Sequence, residues 1–196
     1  MRSFTLLPLF IFSLIELTGQ ATLKDFKFQM GAGPTLYFGQ GHEAWGWSIE
    51  PSIKVGDSGK SSHFVGLEIG YQGNEESTTF HGHRLDFDQQ ELLLLINYTW
   101  FTPSIASGHV QPYLGLGAGN LFVMHDANSP TLGTLLNDTD SINLSFALDV
   151  GSEFLINQHF GFSLGYRFLS SFDVKVESAS DHIYQHGVQL GALFAF

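Results

Sequence analysis

The sequence predicts an all-β protein, an eight-stranded antiparallel up-and-down transmembrane β-barrel. Three observations carry that expectation. Apolar residues recur at every second position along most of the chain, the mark of strands with one greasy face. Twenty-two glycines and nineteen phenylalanines, with few helix formers in series, point away from helices. The connections between the alternating segments are by turns short and long, which places tight turns on one rim and loops on the other.

Residues 1–21 read as a signal peptide. A basic Arg2 precedes an apolar stretch from Phe4 to Ile15, and Gly19 and Ala21 supply a small-x-small cleavage site. That stretch is too short to span a bilayer and runs into Glu16. Residues 22–196 then form one barrel domain. There is no cysteine, hence no disulfide framework and no thiolate metal site. A mean hydropathy of +0.07 fits a membrane barrel, whose two faces average out near neutral.

The strands follow in order. In "FKFQMGAG", Phe26, Phe28, Met30 and Ala32 alternate with Lys27, Gln29, Gly31 and Gly33. In "WGWSIEPSIKV", Trp45, Trp47, Ile49, Ile53 and Val55 oppose Gly46, Ser48, Glu50, Ser52 and Lys54. "FVGLEIGY" sets Val65, Leu67, Ile69 and Tyr71 against Gly66, Glu68 and Gly70. "DQQELLLLINYTW" is the least regular, because Leu93 and Leu95 share the polar face with Glu91, Asn97 and Thr99. "PYLGLGAG" opposes Leu114, Leu116 and Ala118 to three glycines. "INLSFALDVGSEF" sets Ile142, Leu144, Phe146, Leu148 and Val150 against Asn143, Ser145, Ala147, Asp149 and Glu153. "FGFSLGYRF" carries Arg167 among its small residues, and "GVQLGALFAF" ends on a bare Phe196.

The less apolar face decides which way the barrel turns. It is rich in glycine and carries Glu50, Lys54, Glu68, Glu91, Asp149, Glu153 and Arg167. A water-facing strand surface with that much glycine would be poorly specified. In a narrow lumen the glycines make room for long charged chains, which must pair because an isolated buried charge is costly. The seven residues are therefore expected to form an interior polar network, with the apolar face outward to lipid. Trp45, Tyr71, Trp100, Tyr113, Phe160, Phe168, Tyr184 and Phe196 fall near strand ends, where two aromatic girdles belong. Eight strands enclose a lumen that side chains fill, so an open pore is not expected; Leu93, Leu95 and Leu193 would help to plug it.

The terminal-Phe strand "GVQLGALFAF", together with "QPYLGLGAG" and "GFSLGYRF", resembles the eight-stranded bacterial outer-membrane proteins of the OmpA, OmpX and Opa type. The resemblance covers residues 22–196. It implies an integral outer-membrane protein exported through a cleaved signal peptide, in contact with outer-membrane lipid. It also implies that the strand ending at Phe196 is read by the barrel-assembly machinery.

The outer connections are expected at about 39–44, 74–85, 124–141 and 170–182, the last three as sizeable loops. They gather Glu43, Glu75, Glu76, Asp86, Asp88, Asp126, Asp138, Asp140, Asp173, Glu177 and Asp181 against Arg84 and Lys175 alone. Nine of the eleven net negative charges then sit on one rim. Such a rim repels phosphate, which excludes nucleic acid as a partner and favours divalent cations or a basic protein surface.

Catalysis is the other class to weigh. Lipid A deacylases of this membrane carry a His–Ser pair after a stretch similar to "GYRF". Here the chain continues "GYRFLSSFDV", with Ser170 and Ser171 but no neighbouring histidine. A serine without a base in reach is not an activated nucleophile; His182 and His186 stand on the next strand. Histidines at 81, 83, 125, 182 and 186 lack diagnostic metal spacing. No catalytic, cofactor or metal residue is assigned, and a non-catalytic structural or surface-interaction role is expected. A lipid A-modifying enzyme and a secreted soluble ligand-binding barrel stand as alternatives.

Overall fold

The computed structural model describes residues 27–39, 42–80, 83–129, 133–136, 141–157, 159–173 and 182–196. The expected signal peptide lies outside them. The described residues form nine strands: β1 (Phe28–Gly39), β2 (His42–Ser58), β3 (Ser61–Phe80), β4 (His83–Phe101), β5 (Val110–Ser129), β6 (Gly133–Leu136), β7 (Ser141–Leu155), β8 (Phe160–Asp173) and β9 (His182–Ala195). With β6 set aside, each strand pairs antiparallel with the next in sequence, β5 with β7 among them, and β1 pairs with β9, closing an eight-stranded barrel. β6 is a short addition to the outer end of β5.

Closure runs through the chain's last residues. Phe196 donates its backbone N–H to the Phe28 carbonyl at 2.8 Å, and its carbonyl accepts from Lys27 and Phe28 at 3.2 Å. Its ring packs on Phe28 with centroids 5.9 Å apart. The backbone groups that an open edge would leave bare are therefore paired, as a barrel in lipid requires.

The apolar face points outward on every barrel strand. Trp45 is 66 % exposed, Ile96 65 % and Leu116 55 %. A soluble fold would lose about 25 cal/mol for each Å² of such surface left in water. The polar residues are the buried ones: Glu68, Arg167, Asn97 and Glu153 all face the lumen. Two apolar clusters share that lumen with them. One gathers Phe64, Phe101, Leu155, Leu193 and Ala195 toward the short-turn end; the other gathers Leu93, Leu95, Leu121, Val123, Ala147 and Leu169 on the β4–β8 wall. Leu93, Leu95 and Leu193 thus fill the interior, in the company of inward apolar residues that alternation alone did not single out.

Two sequence expectations need correction. The connection at 74–85 is mostly strand, because β3 and β4 stay in register as far as Phe80 opposite His83. β5 likewise continues to Ser129, and β8 to Asp173. A 20-residue strand rises about 66 Å along its own axis, roughly twice what a tilted crossing of the apolar band needs. The backbone ladder thus persists after the apolar alternation of the sequence has stopped. The second correction is Tyr113, which faces the lumen and packs against the Phe64–Phe101 cluster instead of joining a girdle. Gly151 and Gly165 admit it: a Cβ on Gly151 would lie 2.6 Å from the Tyr113 hydroxyl.

Candidate functional site

The interior polar residues come from strands on opposite walls, and Arg167 on β8 holds the centre. Its guanidinium is 2 % exposed and meets two carboxylates at once. Nη1 and Nη2 donate to Glu68 Oε1 and Oε2 at 2.5 and 2.7 Å; Nε and Nη2 donate to Asp149 Oδ1 and Oδ2 at 2.6 and 2.9 Å. Asp149 sits directly opposite Arg167 on β7, whereas Glu68 reaches it across the lumen from β3. The planar fork of arginine suits this double bidentate geometry, which a lysine could not reproduce.

Asn97 ties in a third acid. Its Nδ2 donates to Glu68 Oε2 at 2.8 Å and to Glu50 Oε2 at 3.0 Å. Glu50, Asn97, Glu68, Arg167 and Asp149 are therefore one connected set. Gly66 keeps space for it, since a Cβ there would come within 2.6 Å of Glu50 Oε1.

The other residues expected in that network stand apart. Glu153 lies nearer the short-turn end and accepts from Gln29 Nε2 at 3.0 Å. Glu91 lies toward the outer mouth, where Gln72, Gln89 (2.5 Å) and Gln185 (3.3 Å) donate side-chain amide N–H groups to it. Lys54 pairs with Asp57 at 2.9 Å, three residues on and beside the Gly59 turn. A register shift between Lys54 and Gly56 accompanies that local pairing. The expected single network is thus a central set with separate stations above and below. Asn97, Gln29, Gln72 and Gln185 complete these stations, and their signal in the sequence is only that they fall on inward positions. A cavity of about 90 Å³ lies among Gln29, Glu50, Asp149, Glu153 and Arg167.

Of the candidate serines Ser170 is buried, and Ser171 is engaged by a neighbour. Ser171 faces the lumen, its Oγ 2.7 Å from Ser145 Oγ on β7. His186 faces outward, with Nδ1 2.6 Å from the Tyr166 hydroxyl and its ring stacked on Phe38 at 6.1 Å. Ser171 and His186 therefore point to opposite sides of the barrel wall. The histidine at 81 and the side chains of His83, His125 and His182 lie outside what is described. Among the described residues no group of three or more His, Asp or Glu has the spacing of a metal site.

A closed sheet with a greasy exterior and a charged, filled interior is a membrane barrel, the reverse of a soluble ligand-carrying one. The chain belongs to the outer membrane protein beta-barrel domain family, whose model matches residues 4–196. Its place is accordingly the outer membrane. Solved structures with the same fold include Neisserial surface protein A (TM-score 0.56, 13 % identity, 87 % of this chain and 97 % of that one). The attachment invasion locus protein Ail of Yersinia pestis, solved with the heparin analogue sucrose octasulfate, is also similar (TM-score 0.51, 17 % identity, 87 % and 97 %). So is the outer membrane enzyme PagL (TM-score 0.51, 13 % identity, 85 % and 97 %). Among curated proteins, no sequence matches.

Proposed function

We propose that this barrel is non-catalytic and acts at the cell surface through the acidic strand extensions that rise beyond its membrane band. The observation that carries this reading is a register row. Glu75 on β3 pairs with Asp88 on β4, and Asp88 pairs with Asp126 on β5, so three acids occupy one line across adjacent strands. Like charges in direct cross-strand register destabilise a sheet, and a cationic partner would offset that cost. Asp86 follows one row further out, opposite Ser77 and Asn128. The partner is therefore a basic protein surface or divalent cations, and not nucleic acid. Ail was solved with a polyanion, whereas this rim carries the opposite charge preference.

The engaged state of Ser171 and His186 supports the non-catalytic side of the reading. Export through cleavage after a signal peptide at 1–21 belongs to it, as does recognition of the strand ending at Phe196 by the assembly machinery. Binding to a cationic peptide, measured with the barrel in lipid nanodiscs, tests the proposal. The wild type should bind in a salt-sensitive manner, and the triple substitution Glu75→Gln, Asp88→Asn, Asp126→Asn should weaken binding at least about tenfold. Equal binding by the triple variant would overturn it. Release of a fatty acyl chain from lipid A by the purified barrel would overturn the non-catalytic assignment.

A further inference from the structure

We infer that the interior cavity beside Arg167 binds one small monovalent cation, held by Glu153 and Gln29. Four carboxylates line this cavity, Glu50, Glu68, Asp149 and Glu153, against the single guanidinium of Arg167. That guanidinium is committed to Glu68 and Asp149 through four hydrogen bonds. Glu50 receives only an amide N–H from Asn97, and Glu153 only one from Gln29. Two inward carboxylates, the half-buried Glu50 and the buried Glu153, are thus left facing one space without a cation of their own among the described residues.

The unpaired atoms there are of one kind. Gln29 Oε1 and Glu153 Oε2 are buried without a hydrogen-bond partner, and both residues are more than nine-tenths buried and line the cavity. Both are acceptor oxygens, the hard ligands that alkali and ammonium ions take. Orphan acceptors beside excess negative charge favour a positive ligand over a neutral one, because water satisfies the oxygens without balancing the charge. Size sets the upper limit. A volume of about 90 Å³ has room for a potassium, sodium or ammonium ion with part of its hydration, whereas a bulky organic cation such as choline cannot bring its charge close to both oxygens. The ligand set argues against a divalent metal, since the acids do not gather with metal-site spacing among the described residues.

The test compares the thermal unfolding midpoint of the full chain in detergent micelles in potassium, sodium, ammonium and choline chlorides at equal ionic strength. The midpoint should be higher in the small cations by about 4 °C or more, the shift expected for a ligand well above its dissociation constant. Glu153→Gln should abolish the difference, while Glu91→Gln, a buried acid away from the cavity, should retain it. Should Glu153→Gln fail to fold, thallium NMR on the wild type decides: a bound thallous signal displaced by potassium and not by choline supports the site. Equal midpoints in all four salts would overturn it, as would an undiminished difference in Glu153→Gln or the absence of a displaceable thallous signal.

Discussion

The layer around Arg167 and the layer around Glu91 both bury carboxylates in the same lumen, and they satisfy them by different means. Around Arg167, on β8, two acids share one guanidinium through paired, charge-assisted hydrogen bonds. Around Glu91, on β4, one acid is surrounded by glutamine amides from β3, β4 and β9. In the first layer two carboxylates lie close enough to share one cation, and breaking such a buried pair leaves uncompensated charge. The second lies toward the outer mouth, where neutral donors suffice. A buried acid in this lumen is thus held either by a shared guanidinium or by a ring of side-chain amides.

The largest expected effect comes from breaking the Arg167 layer. Arg167→Met strands Glu68 and Asp149 without a cation and should cost about 3–5 kcal/mol, read from urea unfolding in lipid vesicles. Removing the charges together, as Glu68→Gln, Asp149→Asn, Arg167→Met, should recover most of that loss. Equal damage from both variants would mean that packing, and not charge pairing, governs the layer. Gly165→Ala probes the packing beside it, because the new Cβ would collide with the Tyr113 hydroxyl. Its expected cost is about 1–3 kcal/mol, with relief when Tyr113→Phe is added. Glu91→Gln should cost less than Arg167→Met, about 1–2 kcal/mol, since the amide keeps one acceptor for its glutamine neighbours. A cost as large as that of Arg167→Met would erase the contrast between the layers. Replacing residues 76–87 by a short turn should change barrel stability by less than about 1 kcal/mol, because the closing ladder lies below that extension.

Period-2 alternation made the embedded part of the barrel readable from sequence. Trp45 to Val55, Ile142 to Val150 and Val188 to Phe196 announce their outward faces, since lipid imposes a one-sided demand on every second residue. Arg167, Glu68 and Asp149 were legible as buried charges for the same reason. Their pairing was not, because Glu68 meets Arg167 across 99 positions of sequence. Nor was the length of β3, whose segment Gly73–Phe80 carries no apolar alternation to mark it as strand. Tyr113 was misplaced because an aromatic near a strand end looks the same whether its neighbours are lipid or two lumen-facing glycines. The separate station of Glu153 and Gln29 needed the three-dimensional register, since nothing local links residues so distant in the chain.

The central claim is that the apolar face contacts lipid while the charged face fills the interior, and the three tryptophans test it directly. Trp45, Trp47 and Trp100 all lie on the outward face. Their fluorescence should be measured after insertion of the barrel into vesicles of phospholipids brominated along the acyl chains, and again with iodide in the water. The structure predicts strong quenching by the brominated chains and little by iodide. Emission quenched by iodide and indifferent to the bromines would put these faces in water or inside the barrel, and the account would be wrong.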